Sequence, residues 1–228
     1  MKILVINGSP RGNRSDTLKV TKAFLRGMNE TAEIVNTLQA NVKPCLGCLA
    51  CWQHAGVCVQ KDGMADILEK YMAADLIIWS TPLYFFSVPS NCKAVMDRLI
   101  PLEKLAMYAD ESGRTEHSHR YELKAKHVLI AGCGFPDREG NFDGLIFMFE
   151  RAFGSMPMIL CREAPLLSEP QRQGLAASYL EMAASAGSEY KAAGSISPAV
   201  QAILDAPMLS PEVYREAVTQ KSEEAERE

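Results

Sequence analysis

Histidine is scarce in this chain of 228 residues: only His54, His117, His119 and His127 are present, beside two tryptophans. The one close pair, "HSH" at 117–119, is too short a signal for a metal site by itself. Positive charge is not in excess, with 24 Lys and Arg against 28 Asp and Glu and a net charge of −4, which argues against a nucleic-acid partner. No apolar run approaches the roughly 20 residues of a membrane span, so no membrane partner is expected. The opening "MKILVINGSP" carries too short an apolar core for a signal peptide, and the expected compartment is cytoplasmic. Structural disulfides are not expected there. Internal repeats and low-complexity tracts are absent from the sequence.

What is there is a rhythm. Apolar runs at 2–7, 75–81, 127–134 and 157–162, with a weaker one at 32–38, read as five strands. Between and after them, helical spacing covers the region from Ser15 to Met28 and residues 64–74, 89–100, 142–154 and 169–194. Five-fold strand–helix alternation predicts an α/β fold: a flavodoxin-like, doubly wound, five-stranded parallel sheet of order 2-1-3-4-5 with helices on both faces. The expected organisation is one domain over 1–194, carrying a cysteine-rich loop at 44–62 and a polar insert at 110–126, then a helical C-terminal extension over 195–228. The insert, "DESGRTEHSHRYELKAK", reads as a mobile surface loop with solvated histidines. The extension reads as two helical pieces near 197–205 and 211–226.

Ligands of open α/β sheets bind at the carboxyl ends of the strands, where strand order reverses. Three loops are expected there. In "NGSPRGNRSDT" (7–17), Ser9, Ser15 and Thr17 offer hydroxyls, Arg11 a charged fork and the following helix its free N–H groups. A phosphate monoester suits that set, although helix capping by Ser15 and a turn at Ser9-Pro10 would use the same residue types. "STPLYFFSVPS" (80–90) is aromatic where a loop should be polar. It fits either a flat ring system, with backbone N–H groups around Leu83 to Phe85 on its polar edge, or a core plug or subunit interface. "GCGFPDREGNFDG" (132–144) places Gly132 and Gly134 where backbone can approach a ligand, with Cys133 between them as a packed small residue.

Four of the seven cysteines, Cys45, Cys48, Cys51 and Cys58, form C-x2-C-x2-C-x6-C in "CLGCLACWQHAGVC". Three occupancies stay open for them: a [4Fe–4S] cluster, which tight loops with converging thiolates suit; zinc; or bare thiols in a loop that walls the ligand site.

The stretches "NGSPRGNRSDT", "PCLGCLACW", "GVCVQKDGM", "STPLYFFSVPS" and "CKAVMDRL" together resemble the flavodoxin-like NAD(P)H-dependent FMN reductase family, and within it the iron–sulfur flavoproteins. The likeness is dense over about the first 100 residues, and the strand–helix rhythm carries it to about residue 190. One departure is Asp62-Gly63-Met64, where many relatives read D-D-M. The resemblance implies FMN, with Ser9, Arg11, Ser15 and Thr17 on its phosphate. It sets Thr81, Pro82, Leu83, Tyr84 and Phe85 along the isoalloxazine, and Gly132, Cys133, Gly134 and Phe135 closing the other edge. It also implies Cys45, Cys48, Cys51 and Cys58 as [4Fe–4S] ligands. The implied activity is an FMN-dependent NAD(P)H oxidoreductase passing electrons from a nicotinamide cofactor to an acceptor the sequence does not identify. The alternatives are an iron–sulfur electron carrier and a non-catalytic flavin-binding or docking module. Hydride transfer to a flavin needs no acid–base triad, in keeping with the few histidines, and no catalytic acid or base is assigned. Members of the family pair to complete the flavin pocket, so a homodimer or homotetramer is expected.

Overall fold

A computed structural model describes residues 1–227. In chain order it contains β1 (Ile3–Asn7), α1 (Asp16–Gly27), β2 (Glu33–Asn36), α2 (Ala50–Gln53), α3 (Met64–Ala73), β3 (Leu76–Pro82) and α4 (Ser90–Asp97). There follow β4 (Glu103–Ala109), β5 (Thr115–His119), β6 (Lys126–Gly132), α5 (Asp143–Phe153), β7 (Met158–Cys161), α6 (Gln173–Ala193), α7 (Pro198–Leu204) and α8 (Pro211–Ala225). The main sheet runs β2-β1-β3-β6-β7 with every pair parallel. Counted along the parallel strands alone, that is the expected order 2-1-3-4-5.

Side chains of a strand alternate between faces, and both faces of the central strands are covered, so these are largely apolar, while the edge strand β2 exposes Glu33. Ile3 and Val5 of β1 pack with Leu18, Phe24 and Leu25 of α1 and Ala183 and Ala186 of α6. Leu4 and Ile6 pack on the opposite face with Ile67, Leu68 and Tyr71 of α3, Val95 of α4 and Phe149 of α5. On the first face the helices come almost backbone to backbone. A Cβ at Gly27 would sit 1.7 Å from the Ala184 carbonyl oxygen, and one at Gly187 would sit 1.9 Å from that of Phe24.

The polar insert is not a mobile loop. Strands β4 and β5 pair antiparallel as a separate two-stranded sheet, with Met107 opposite His117 and Ala109 opposite Thr115. The turn between them is organised by Asp110, whose carboxylate accepts from the N–H of Ser112 and of Arg114, both at 2.9 Å. The Ser112 hydroxyl, which donates to the same carboxylate at 2.7 Å, together with those N–H bonds and the Arg114 charge, holds the Asp110 carboxyl down at about 2. His119 is exposed and pairs with Glu103, whereas His117 is half-buried with its ring 5.0 Å from that of Trp52. The hairpin thus backs the cysteine loop instead of standing free. The turn at Gly56 lies against the same support. Its φ of +85° favours glycine, and a Cβ there would meet Arg120 Cδ at 2.8 Å and the Pro101 carbonyl at 2.9 Å.

The helical segment at the C-terminus packs onto the sheet domain. Leu204 joins the α1/α6 core, and the buried Glu163 carboxylate accepts from the N–H groups of Met208 (2.6 Å) and Leu209 (3.3 Å). Among the described residues, no helix is long and apolar enough to cross a membrane.

Candidate functional site

The first loop leaves β1 as a tight turn fixed by Asn7, which is fully buried. Its side chain donates to the Gly12 carbonyl (3.1 Å) and to Asn36 Oδ1 (2.7 Å) and accepts from the Ser9 N–H (3.3 Å). Ser15 is the N-cap of α1, with Oγ accepting from the Leu18 N–H. That bond uses a lone pair and leaves the hydroxyl proton to donate, so capping does not preclude anion binding at the same residue. Asp16 opens the helix and is buried. Arg11, Lys19 and the Ser168 hydroxyl surround its carboxylate.

The second loop leaves β3 as a tight hairpin turn. Tyr84 and Ser87 exchange both backbone hydrogen bonds, at 2.8 and 3.0 Å, and the two central residues, Phe85 and Phe86, have φ of +48° and +62°. This is a type I′ turn, normally made with Asn and Gly. Two phenylalanines held there cost on the order of 1–3 kcal/mol each. Phe85 is wholly exposed, and Tyr84 and Phe86 are about half exposed. The third loop leaves β6. The Leu83 N–H donates to the Gly132 carbonyl at 2.7 Å, tying it to the second. A Cβ on Gly132 would strike Thr17 Oγ1 at 2.8 Å and Ala164 Cβ at 3.0 Å, so glycine lets the third loop approach the start of α1 and the segment after β7.

All three loops converge on one cavity of about 160 Å³ at the carboxyl ends of β1, β3 and β6. Ser9, Arg11, Ser15 and Thr17 line it from the first loop, Pro82, Leu83 and Tyr84 from the second, and Gly132, Cys133 and Gly134 from the third. Three expected residues lie outside its lining. Thr81 is buried in the strand, with its hydroxyl donating to the Pro82 carbonyl at 3.1 Å, and Phe85 and Phe135 point outward. Three residues the motif reading did not single out, Asp16, Ala164 and Pro165, complete the wall. Asp16 had a signal, since an acid in the first turn of a helix follows its dipole. Ala164 and Pro165 arrive from after β7 and had none. Burial pushes the Cys133 thiol up, as suits a packed side chain and not a nucleophile.

The cysteine loop forms a second cavity, of about 50 Å³, lined by all four of Cys45, Cys48, Cys51 and Cys58. Positive φ at Gly47, Leu49, Ala55 and Gly56 folds the chain back on itself. Cys45 and Cys48 are exposed, Cys58 is intermediate and Cys51 is buried. Burial pushes the Cys51 thiol up, and the neighbouring Cys58 and Cys45 push it further. Among the described residues, no three His, Cys, Asp or Glu side chains stand close enough to hold a single metal ion. The sulfurs share a cavity rather than a coordination sphere. As a donor set, four thiols around one largely apolar cavity suit an iron–sulfur cluster.

One residue of this second site lies within the stretch "CKAVMDRL" but was assigned no role from the sequence. Arg98, at the end of α4, is 2% exposed at its side chain and lines the cysteine cavity. Its guanidinium donates to Cys58 Sγ (3.3 Å), the Lys43 carbonyl (3.2 Å) and the Asp62 carboxylate. Asp62 also accepts from the N–H of Lys43 (2.9 Å) and of Met64 (3.1 Å). Burial opposes the Asp62 charge, but Arg98 and these N–H donors together hold its carboxyl below the usual range. The Arg98 Nε has no partner.

Residues 1–142 match the description NADPH-dependent FMN reductase, more than half of the chain. The chain belongs to that family. An iron-sulfur flavoprotein of Archaeoglobus fulgidus is 39% identical over 99 residues, 43% of this chain and 48% of that one. Another, from Methanocaldococcus jannaschii, is 36% identical over 104 residues, 45% and 53% of the two chains. The matches thus span about half the length of these curated relatives. An FMN-dependent NAD(P)H:quinone oxidoreductase of Pseudomonas aeruginosa is 26% identical over 59% of this chain and 70% of its own. Among solved structures, an azoreductase from Bacillus anthracis superposes with a TM-score of 0.60 at 14% identity, covering 83% of this chain and 99% of that one. An NAD(P)H:quinone oxidoreductase from Methanothermobacter marburgensis gives 0.59 at 15% identity, covering 82% and 98%. At such identities these structures bear on the fold alone, and they agree with the flavodoxin-like sheet.

Proposed function

We propose that this chain is an FMN-dependent NAD(P)H oxidoreductase whose flavin phosphate sits in the three-loop cavity. The observation that carries the reading is the convergence of Ser9, Arg11, Ser15 and Thr17 with Pro82, Leu83, Tyr84 and Gly132 on one space at the sheet's switch point. FMN, when bound, supplies the redox chemistry, taking hydride from a nicotinamide and passing electrons on. The protein binds and orients. The Ser9, Ser15 and Thr17 hydroxyls and the N-terminus of α1 bind the phosphate, while Arg11 and Lys19 offset its charge and that of Asp16. About 160 Å³ is below the ~300 Å³ of a typical whole-ligand pocket, so the cavity receives the phosphate and ribityl end. The ring lies along Pro82 to Tyr84 and the Gly132–Gly134 backbone. The exposed aromatic turn at Tyr84, Phe85 and Phe86 is covered by a second copy of the chain, giving a homodimer or homotetramer. Quinones and azo compounds, named for the relatives, are the first acceptors to try. Seven free cysteines suit a reducing, cytoplasmic setting. The deciding experiment is anaerobic: purified protein should be yellow, bind FMN, and be bleached by NADH or NADPH. Flavin-loaded protein that neither nucleotide reduces would overturn the assignment.

A second reading has its own support in the cysteine cavity. Cys45, Cys48, Cys51 and Cys58 would hold a [4Fe–4S] cluster able to relay single electrons to or from the flavin. Iron and acid-labile sulfide, about four of each per chain in anaerobically prepared protein, are its expected signature.

A further inference from the structure

Arg98 is an unusual residue to find in the wall of a cysteine cavity. A buried guanidinium carries five N–H donors and cannot shed its charge, so every donor left without an acceptor is a cost. Three directions are filled: Lys43 and Asp62 accept on one edge and Cys58 Sγ on the other. The buried Nε is left over. Asp62, in turn, is claimed by Arg98 and by two backbone N–H groups where the loop closes on α3. The result is an oriented pair, with carboxylate on the loop-anchor side and one cationic N–H donor on the Cys58 sulfur.

A purely mechanical clamp for the loop would need only the Asp62 and Lys43 contacts. The N–H···S contact from Nη2 to Cys58 matches a different requirement: a sulfur atom bearing negative charge. Four thiolates around an iron–sulfur core make a net anion, and one-electron reduction makes it more so. Hydrogen bonds and positive charge at the sulfurs favour the reduced form and raise the potential.

We propose that Arg98 is the positioning and charge-compensating residue of the cysteine site, fixing the Cys58 sulfur and setting the potential of an iron–sulfur cluster held by the four cysteines. This rests on the reading that these cysteines hold such a cluster. Arg98 holds no iron itself; it acts through Cys58 and through the field at the cavity wall.

The test uses the full chain, loaded anaerobically with ferrous iron, sulfide and FMN, and titrated with dithionite while the reduced cluster is followed by electron paramagnetic resonance. Removing the arginine alone strands Asp62, so the informative variants are Arg98→Lys, Asp62→Asn and the double variant Arg98→Gln/Asp62→Asn. FMN affinity serves as the check on fold. The double variant should show a midpoint shifted to more negative potential. The expected change is at least tenfold in the reduced-to-oxidised ratio at fixed potential, about 59 mV for one electron. Asp62→Asn, which leaves the arginine uncompensated, should shift it the other way, and Arg98→Lys should lie between wild type and the double variant. Loss of iron from the double variant with retention in Asp62→Asn would also support the role. A double variant with the wild-type midpoint, or equal loss of iron from both, would overturn it. Wild-type protein that takes up neither iron nor sulfide, yet is bleached by NADH or NADPH, would overturn this inference and the cluster reading while leaving the flavin assignment standing.

Discussion

Trp79 Nε1 donates a 3.2 Å hydrogen bond to Nδ1 of His127 across the neighbouring strands β3 and β6. The imidazole is stacked on Phe153 with centroids 4.7 Å apart, and burial lowers its pKa from 6.5 to about 4. A histidine kept neutral in the fold binds its proton more readily in the unfolded chain. Its contribution is therefore complete above the unfolded value near 6.5 and is lost as the pH falls toward 4. This group alone should make the fold about 2–3 kcal/mol less stable at pH 4.5 than at pH 7. Urea unfolding at the two pH values measures the drop, and it should shrink in His127→Gln, which keeps an acceptor for Trp79 without the titration.

Gly132→Ala should damage the flavin site more than the fold. The added methyl meets Thr17 Oγ1 and Ala164 Cβ and pushes apart the loops that share the phosphate cavity. A stability loss of about 1–3 kcal/mol and at least a tenfold weaker FMN affinity are expected. Titration of the variant by flavin fluorescence, alongside denaturant unfolding, separates the two effects.

Ser15→Ala and Arg11→Ala should weaken FMN binding about tenfold or more and leave riboflavin binding unchanged, because riboflavin lacks the phosphate proposed to lie against these two cavity-lining residues. Ser15→Ala should also lose about 1 kcal/mol of stability through its cap on α1. Parallel titrations with the two flavins check the point. Equal losses for both would move the phosphate elsewhere.

Gly187→Ala should cost at least ~2 kcal/mol, although alanine is the better helix former, because the new methyl has no room beside the Phe24 carbonyl. Denaturant unfolding of Gly187→Ala against Gly174→Ala, an α6 position with open space, isolates packing from propensity.

Four of the parallel strands were legible because burial on both faces makes them plain apolar runs, the edge strand β2 left a weaker signal, and the order followed from the alternation with helices. The hairpin was not. Glu103–Ala109 is exposed along nearly its whole length and has no alternation tied to a core. Its turn did leave a trace in the Asp110-to-Gly113 stretch, a typical turn composition. The loop residues proposed to bind through hydroxyl, guanidinium or glycine backbone were legible by type and position, and the cavity gathers most of them. Backbone conformation was the harder part. "LYFF" predicts an aromatic surface but not a left-handed turn that turns Phe85 outward. Arg98 was hidden for another reason: on a helix of mixed composition an arginine reads as solvent-facing, and its partner Asp62 lies 36 residues away.

The contact between Trp52 and His117 carries a consequence for engineering. The cysteine loop and the β4–β5 hairpin belong to different crossovers of the sheet, yet Trp52 Nε1 and His117 Nδ1 are both buried at their junction without polar partners. Arg120 also closes on Gly56 and Pro101. The two insertions therefore form one exchangeable module. Transplanting the four cysteines onto a relative without the hairpin would leave the loop's inner wall bare, and trimming the hairpin here would unseat thiols that belong to an earlier crossover of the sheet.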